Sequence, residues 1–171
     1  MRRAAEPVAR FRTTLDVTVR RCRAADLRAL EWFGIHTASR DVIESAYMAQ
    51  RNGHAVVLVA DVGGFPAAQV WLDFRRKRPA RCVTIWALRV FPPLRGCGIG
   101  TDLMRVAEAV AVERGSTTAE LAVEETNVRA RRFYERLGYA LADRGDGATV
   151  LTFRKALVGA EPLPAPASRP G

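Results

Sequence analysis

The sequence predicts an α+β domain built on a mixed, mostly antiparallel sheet of six to seven strands flanked by about four helices. Three observations lead there. Apolar strand segments come in hairpin pairs: His54 to Asp61 and Ala67 to Phe74 flank the turn Val62-Gly63-Gly64-Phe65-Pro66, and two later strands flank Gly145-Asp146-Gly147. Helical periodicity appears between the strands, most clearly after Gly98. Hairpins outnumber crossovers, which argues against a doubly wound α/β fold.

Taken in order, Met1 to about Thr14 is basic and without sustained periodicity, and reads as a loose arm. Val17 to Arg21 alternates as a first strand. Ala25-Asp26 opens a helix carrying Leu27, Leu30 and either Trp32 or Phe33, ending near Gly34. A second helix, Asp41 to about Asn52, places Val42, Ile43, Ala46 and Tyr47 at helical spacing, and Gly53 ends it. After the first hairpin, Arg75 to Arg81 reads as a basic loop into a central strand, Cys82 to Val90. Phe91-Pro92-Pro93 ends that strand, because proline cannot donate to a sheet ladder.

A glycine turn and an amphipathic helix follow, with Leu103, Met104, Val106, Ala107, Val110 and Ala111, until Gly115 stops it. Thr118 to Val123 is the next strand. Val128 to Leu137 is a short helix with Ala130, Phe133 and Leu137 on one side, capped by Gly138. The last strands lie near Tyr139 to Ala142 and Thr149 to Arg154. One domain is expected over residues 15–157. Beyond it, Pro162, Pro164, Pro166 and Pro170 with little apolar bulk mark a disordered tail over 158–171.

Composition narrows the classes. With 49% apolar and 26% charged residues, the chain matches a soluble globular protein. Its longest strongly apolar run, Ala55 to Ala60, is too short to span a membrane. Met1 to Phe11 has no hydrophobic segment of the kind a secretory signal needs. Cys22, Cys82 and Cys97 are widely spaced and form no zinc-ligand pattern, so no metal is expected and a reducing cytoplasm is the simplest setting. The net charge of +9 suits either an anionic partner, nucleic acid and the ribosome included, or a merely solvated basic surface. No nucleic-acid-binding motif accompanies it. A monomer and a homodimer are both compatible with the sequence.

The informative stretch is Ile85 to Asp102. Glycines there let successive N–H groups curl inward and let a phosphate approach, and the uncapped start of a helix adds partial positive charge. Three phosphate motifs compete. A P-loop needs Lys-Ser or Lys-Thr after its last glycine, but Gly100 is followed by Thr101-Asp102. The dinucleotide fingerprint needs Gly-x-Gly-x-x-Gly, but the spacing is Gly96-x-Gly98-x-Gly100. The third, Arg/Gln-x-x-Gly-x-Gly/Ala after a strand ending Leu-x-Val-x-Pro, is met by Leu88, Val90, Pro92, Arg95, Gly98 and Gly100.

That pattern resembles the coenzyme A-binding core of the Gcn5-related N-acetyltransferase (GNAT) superfamily. Asn127, Ala130, Phe133, Tyr134, Leu137 and Gly138 resemble its second signature. The resemblance covers about Val17 to Lys155. It implies a sheet splayed between the fourth and fifth strands, with acetyl-CoA as co-substrate in the gap. The main chain of Leu88, Arg89 and Val90 would complete its ladder on the pantetheine arm. The main chain of Gly96, Cys97, Gly98, Ile99, Gly100 and Thr101 would hold the pyrophosphate. Arg95 would help through its side chain or by shaping the turn, and Asn127 would bond the cofactor arm.

Tyr134 is the implied catalytic acid toward the leaving thiolate, by family position and because a phenol can donate at neutral pH; it could also be helix-face core beside Phe133. The implied reaction is direct attack of a primary amine, on a small molecule or a protein, within a ternary complex. The general base is not legible. Some relatives carry a glutamate on the central strand, where this chain has Val83, Thr84, Ile85, Trp86 and Ala87. Glu124, Glu125, Asp73, Glu31 and His36 are options. Cys97 reads as a reactive thiol or as a small turn residue. Trp32, Phe33 and His36 fall where the family walls its acceptor site, though either aromatic could be core, and His54 reads as structural. Alternatives are a non-catalytic acyl-CoA-sensing module and an acetyltransferase acting on ribosomal protein or RNA-linked amines.

Overall fold

The computed structural model describes residues 14–77, 80–144 and 149–157. The expected arm up to residue 13, the tail from 158 and the Gly145-Asp146-Gly147 turn lie outside them. The elements in chain order are β1 (Thr18–Arg21), α1 (Asp26–Ala29), α2 (Arg40–Arg51), β2 (Ala55–Val62), β3 (Phe65–Lys77), β4 (Cys82–Val90), α3 (Ile99–Glu113), β5 (Thr118–Glu124), α4 (Val128–Arg136), β6 (Ala140–Asp143) and β7 (Val150–Ala156). The seven strands form one sheet in the order β1-β2-β3-β4-β5-β7-β6. Every pairing is antiparallel except β4 with β5. The expected α+β class and mixed sheet are therefore observed.

The two faces of the sheet bury different cores. On one face Val56, Leu58, Val70, Leu72, Val83, Ile85, Leu121 and Phe153 pack against Leu103, Met104 and Ala107 of α3 and against Phe133 and Tyr134 of α4. On the other, Val57, Val59 and Trp71 pack against Leu30, Trp32, Ile43 and Ala46 from the α1–α2 region. Alternation along each strand sends neighbouring residues to opposite faces, which is why β2 is apolar and buried from Ala55 to Ala60.

The structure corrects two local expectations. The first helix is a single turn, Asp26–Ala29, and does not run on to Gly34. Trp32 and Phe33 adopt left-handed backbone angles (φ 45° and 58°), so the helix cannot continue. Tertiary contact imposes this: Trp32 is fully buried and its indole N–H donates to the Pro66 carbonyl at 2.8 Å. Likewise Arg75 to Lys77 is not loop but the end of β3, and Lys77 pairs with Cys82. A run of basic side chains looks like a loop in sequence, yet an edge-ward strand extension carries charge readily.

At the sheet's outer edge Gln50 of α2 acts as an extra peptide group. Its amide N–H donates to the Cys22 carbonyl at 2.9 Å and its Oε1 accepts from the Val57 N–H at 2.9 Å. Nearby, Arg20 of β1 bridges Asp26 and Asp61, with contacts of 2.6 Å to each.

Candidate active site

β4 and β5 are hydrogen-bonded partners only at Cys82↔Thr118, Val83↔Ala119 and Thr84↔Glu120. Beyond Thr84 they diverge, leaving a cleft of about 460 Å3. Its walls are Thr84 to Arg89 of β4, Leu121 to Glu124 of β5, and Asn127, Ala130 and Tyr134 from α4 and its approach, with Asp73 of β3 on one side.

One residue sets the shape of β4 here. Trp86 pairs with Trp71 and Arg89 with Gln69, so β4 carries one residue more than β3 across this interval. The extra residue is a β-bulge, and Ala87 takes it at φ 53°, a left-handed angle that is costly for any side chain. After the bulge Leu88 and Val90 pack toward α3 and α4.

Past Val90 a short 3-10 turn over Pro92–Leu94 leads into the glycine turn. Arg95 bends back, its Nε–H donating to the Val90 carbonyl at 3.1 Å, so its side chain shapes this turn. Gly98 precedes α3 directly, at φ 87°, and its carbonyl accepts from the N–H groups of Thr101 and Asp102. No side chain caps α3. The first N–H groups of a helix have no partner one turn back, so those at its start face out of the turn unpaired by the helix itself. At Gly100 a Cβ would lie 3.4 Å from Val90 and 3.7 Å from the Phe133 ring, so this glycine lets α3, α4 and β4 close together beside the cleft. Gly96 also needs a positive φ, Ile99 is buried, and Cys97 is an exposed free thiol.

Asn127 sits before α4 and its Oδ1 accepts the Ala130 N–H at 3.1 Å, which caps that helix and leaves its amide N–H2 at the cleft wall. Two turns on, Tyr134 lies against Phe133 and Tyr139 at ring distances of 5.2 and 5.9 Å. Burial pushes its phenol up to about 12, so the hydroxyl stays protonated through neutral pH.

Of the candidate bases, Asp73 and Glu124 line the cleft. Asp73 is buried and accepts the Arg75 backbone N–H at 2.8 Å, whereas Glu124 is exposed. Glu31 is held by Arg40 through bonds of 2.7 and 3.0 Å, and Glu125 by Arg144 at 3.0 Å; neither lines the cleft. Trp32 is core, while Phe33 is 87% exposed and stacks on Phe65. A second cavity of about 670 Å3 at the far end of β4 is lined by Arg75, Arg81 and Arg114. These three bond Asp73, the Gly115 carbonyl and the Gly53 carbonyl, and so close the ends of strands and helices.

Among the described residues no group of His, Cys, Asp or Glu is arranged to hold a metal ion, and no helix is long and apolar enough to cross a membrane. The acetyltransferase (GNAT) family model matches residues 22–139, which includes β4, the glycine turn, the cleft and α4. The chain belongs to this family. As a GNAT protein it is an acyltransferase. It is 38% identical over 113 residues to an uncharacterized N-acetyltransferase of Archaeoglobus fulgidus, covering 63% of this chain and 74% of that protein. The PaiA N-acetyltransferase from Thermoplasma acidophilum, solved in complex with coenzyme A, shares the fold at TM-score 0.66 and 20% identity, over 82% of this chain and 99% of that one. A putative acetyltransferase of the GNAT family from Desulfovibrio desulfuricans does so at TM-score 0.72 and 14% identity, over 84% of this chain and all of that one (100%).

Two features of the GNAT site escaped the sequence. The bulge at Ala87 leaves no compositional mark, because alanine is not a residue that signals a left-handed angle. The alignment of Gln69, Trp71 and Asp73 beside Arg89, Trp86 and Thr84 depends on strand register across the β3–β4 hairpin, and only that register brings them together.

Proposed function

We propose that this GNAT protein transfers an acetyl group from acetyl-CoA to a primary amine by direct attack within a ternary complex. The observation that carries the reading is the end of β4–β5 pairing at Thr84 and Glu120, with Tyr134 over the gap and an uncapped helix start beside it. A pantetheine arm has amides of its own, and lying in the gap it would pair with main chain of Leu88, Arg89 and Val90 that β5 no longer reaches. The turn from Gly96 to Thr101 would hold the pyrophosphate through N–H groups ahead of Thr101, whose own N–H already bonds the Gly98 carbonyl, with Arg95 holding the turn in shape. The N–H2 of Asn127 is placed to bond the cofactor arm.

In the reaction the neutral amine attacks the thioester carbon. The new C–N bond forms, the C–S bond breaks, and the thiolate takes a proton from Tyr134, whose hydroxyl burial keeps protonated. The amine's surplus proton leaves by Glu124, Asp73 or water at the open side of the cleft. Much of the acceleration comes from holding both reactants in line. The three free cysteines, two of them buried, fit a reducing compartment, and the proposed setting is the cytoplasm.

Calorimetric titration with acetyl-CoA, with adenosine diphosphate as control ligand, tests this reading first. Micromolar binding of acetyl-CoA, much tighter than the control, is expected. Folded protein that ignores acetyl-CoA would overturn it.

A further inference from the structure

On the face of the sheet away from α3 and α4, β3 and β4 present three side-by-side pairs: Gln69 with Arg89, Trp71 with Trp86, and Asp73 with Thr84. The pairs are strongly unequal in polarity. At one end Asp73 is a carboxylate at the edge of the cleft. In the middle the two indoles meet edge to face at 4.5 Å, and Trp86 is 40% exposed. At the other end stand donors without acceptors.

Gln69 is fully buried, and its Oε1 is taken by the Trp71 indole N–H at 2.8 Å. Its Nε2 is therefore turned away from that bond and has no hydrogen-bond partner. Arg89, its cross-strand neighbour, has a buried Nη1 that is also unpartnered, and its guanidinium rests 5.9 Å from the Trp71 ring. The His36 Nε2, from the loop above, is a third buried nitrogen with no partner. Burial lowers the His36 pKa, and the fields of Arg89 and Arg95 lower it further, so these locally positive surroundings favour the neutral imidazole. A buried amide N–H and a buried guanidinium N–H left unmade are each expensive, and a guanidinium without a counter-ion doubly so. The inventory of atoms that would satisfy the amide and the guanidinium is narrow: oxygens only, and preferably negative ones, because both open valences are donors, and the His36 Nε2 joins them in the tautomer that carries its proton there.

We infer that this end of the face receives a carboxylate of the acceptor, with Arg89 as its counter-ion and Gln69 and His36 as flanking donors. The acceptor is thus a zwitterion: an amine at the cleft and a carboxylate at Arg89, joined by an apolar spacer lying along Trp86. Gln69 and Asp73 mark the two ends and are four residues apart on one strand, about 13 Å, so the spacer is that of an ω-amino acid. This rests on the acetyl-transfer reading above and specifies its substrate class.

The test begins with acetyl-CoA calorimetry, so that failure of the transfer reading is seen by itself. Turnover is then compared for glycine, β-alanine, 4-aminobutyrate and 6-aminohexanoate against the alkylamines of matching length. At least one carboxylate member should exceed its amine by roughly 10- to 100-fold in kcat/KM, the worth of a charge-assisted hydrogen bond. Arg89→Gln should erase that preference through KM, and Arg89→Lys should restore part of it. As a readout free of turnover, 4-aminobutyrate and butyrate are titrated into the coenzyme A-loaded protein while indole fluorescence is followed. A saturable change that Arg89→Gln abolishes is expected. Equal use of amines and amino acids, or no saturable carboxylate response in wild-type protein, overturns the inference. So does an Arg89→Gln protein that loses acetyl-CoA affinity tenfold with its acceptor preference intact, which would assign the cluster to the cofactor.

Discussion

Thr84 and Glu120 face each other across the last backbone pairing between β4 and β5, and the cleft opens just beyond them. Glu120 is tied to Arg154 at 2.7 Å, so the point at which the strands part is itself anchored to β7. The cleft is thus a fixed opening with a defined floor.

Tyr134 is the group whose chemistry the cleft most clearly exposes. Tyr134→Phe keeps the ring packing against Phe133 and Tyr139 and removes only the hydroxyl. It should lower kcat by roughly 10²-fold or more while acetyl-CoA affinity stays within about twofold, measured by steady-state kinetics and calorimetry. Because burial raises this phenol to about 12, it loses its proton only in strong alkali. The kcat profile of the wild-type protein should therefore show no falling limb from this group below about pH 11.

Gly98 holds the turn into α3 at φ 87°, where a Cβ is strained whatever the space around it. Gly98→Ala should cost about 1–2 kcal/mol of stability. It should also weaken acetyl-CoA binding by more than it weakens folding, since the strain is relieved by moving the N–H groups proposed to meet the pyrophosphate. Chemical denaturation and calorimetry on the same sample separate the two effects.

Ala87 occupies a similar angle with no glycine to make it cheap. Ala87→Gly should leave stability unchanged or raise it by up to about 1 kcal/mol. Deleting Ala87 should restore regular β3–β4 pairing and lower turnover at least tenfold, because main chain offered to the cofactor would shift. Thermal melts and kinetics on both variants check this.

Arg20 ties β1, α1 and β2 together through Asp26 and Asp61. Burial alone would raise the Asp26 carboxyl. The Arg20 guanidinium and the Arg23 N–H outweigh it and hold the group below its ordinary value of 3.8. A carboxyl depressed in the folded state contributes stability above its ordinary value and loses it as pH falls through the folded one. The urea midpoint should therefore drop as pH falls below about 4. Arg20→Ala should cost roughly 2–3 kcal/mol at neutral pH and flatten that acid dependence.

Much of the fold was legible because its signals are local. Gly98 and Gly100 mark the start of α3, Asn127 caps α4 through its own side chain, and strand order follows from hairpin turns. The misread segments obey distant partners. Trp32 ends α1 because Pro66, far along the chain, accepts its indole N–H. The end of β3 pairs despite its charges because Cys82 lies opposite. The ambiguity between Trp32 and Phe33 was a question of which ring the second core could enclose, and sequence periodicity carries no answer to that. The base was illegible for the same reason: Asp73 and Glu124 become neighbours of the cleft only after β3, β4 and β5 have aligned.

The parallel seam at β4–β5 also divides the chain as a folding object. On either side of it lie antiparallel units, β1 to β4 and β5 to β7, whose strands pair largely with sequence neighbours and can form early. Joining them requires α3 to span the crossover and pays its closure entropy for only the short pairing from Cys82 to Thr84. The seam is thus the weakest stitch in the sheet. A ligand seated in it adds bonds between the two units, so the chain's resistance to heat and proteolysis will track the concentration of its cofactor.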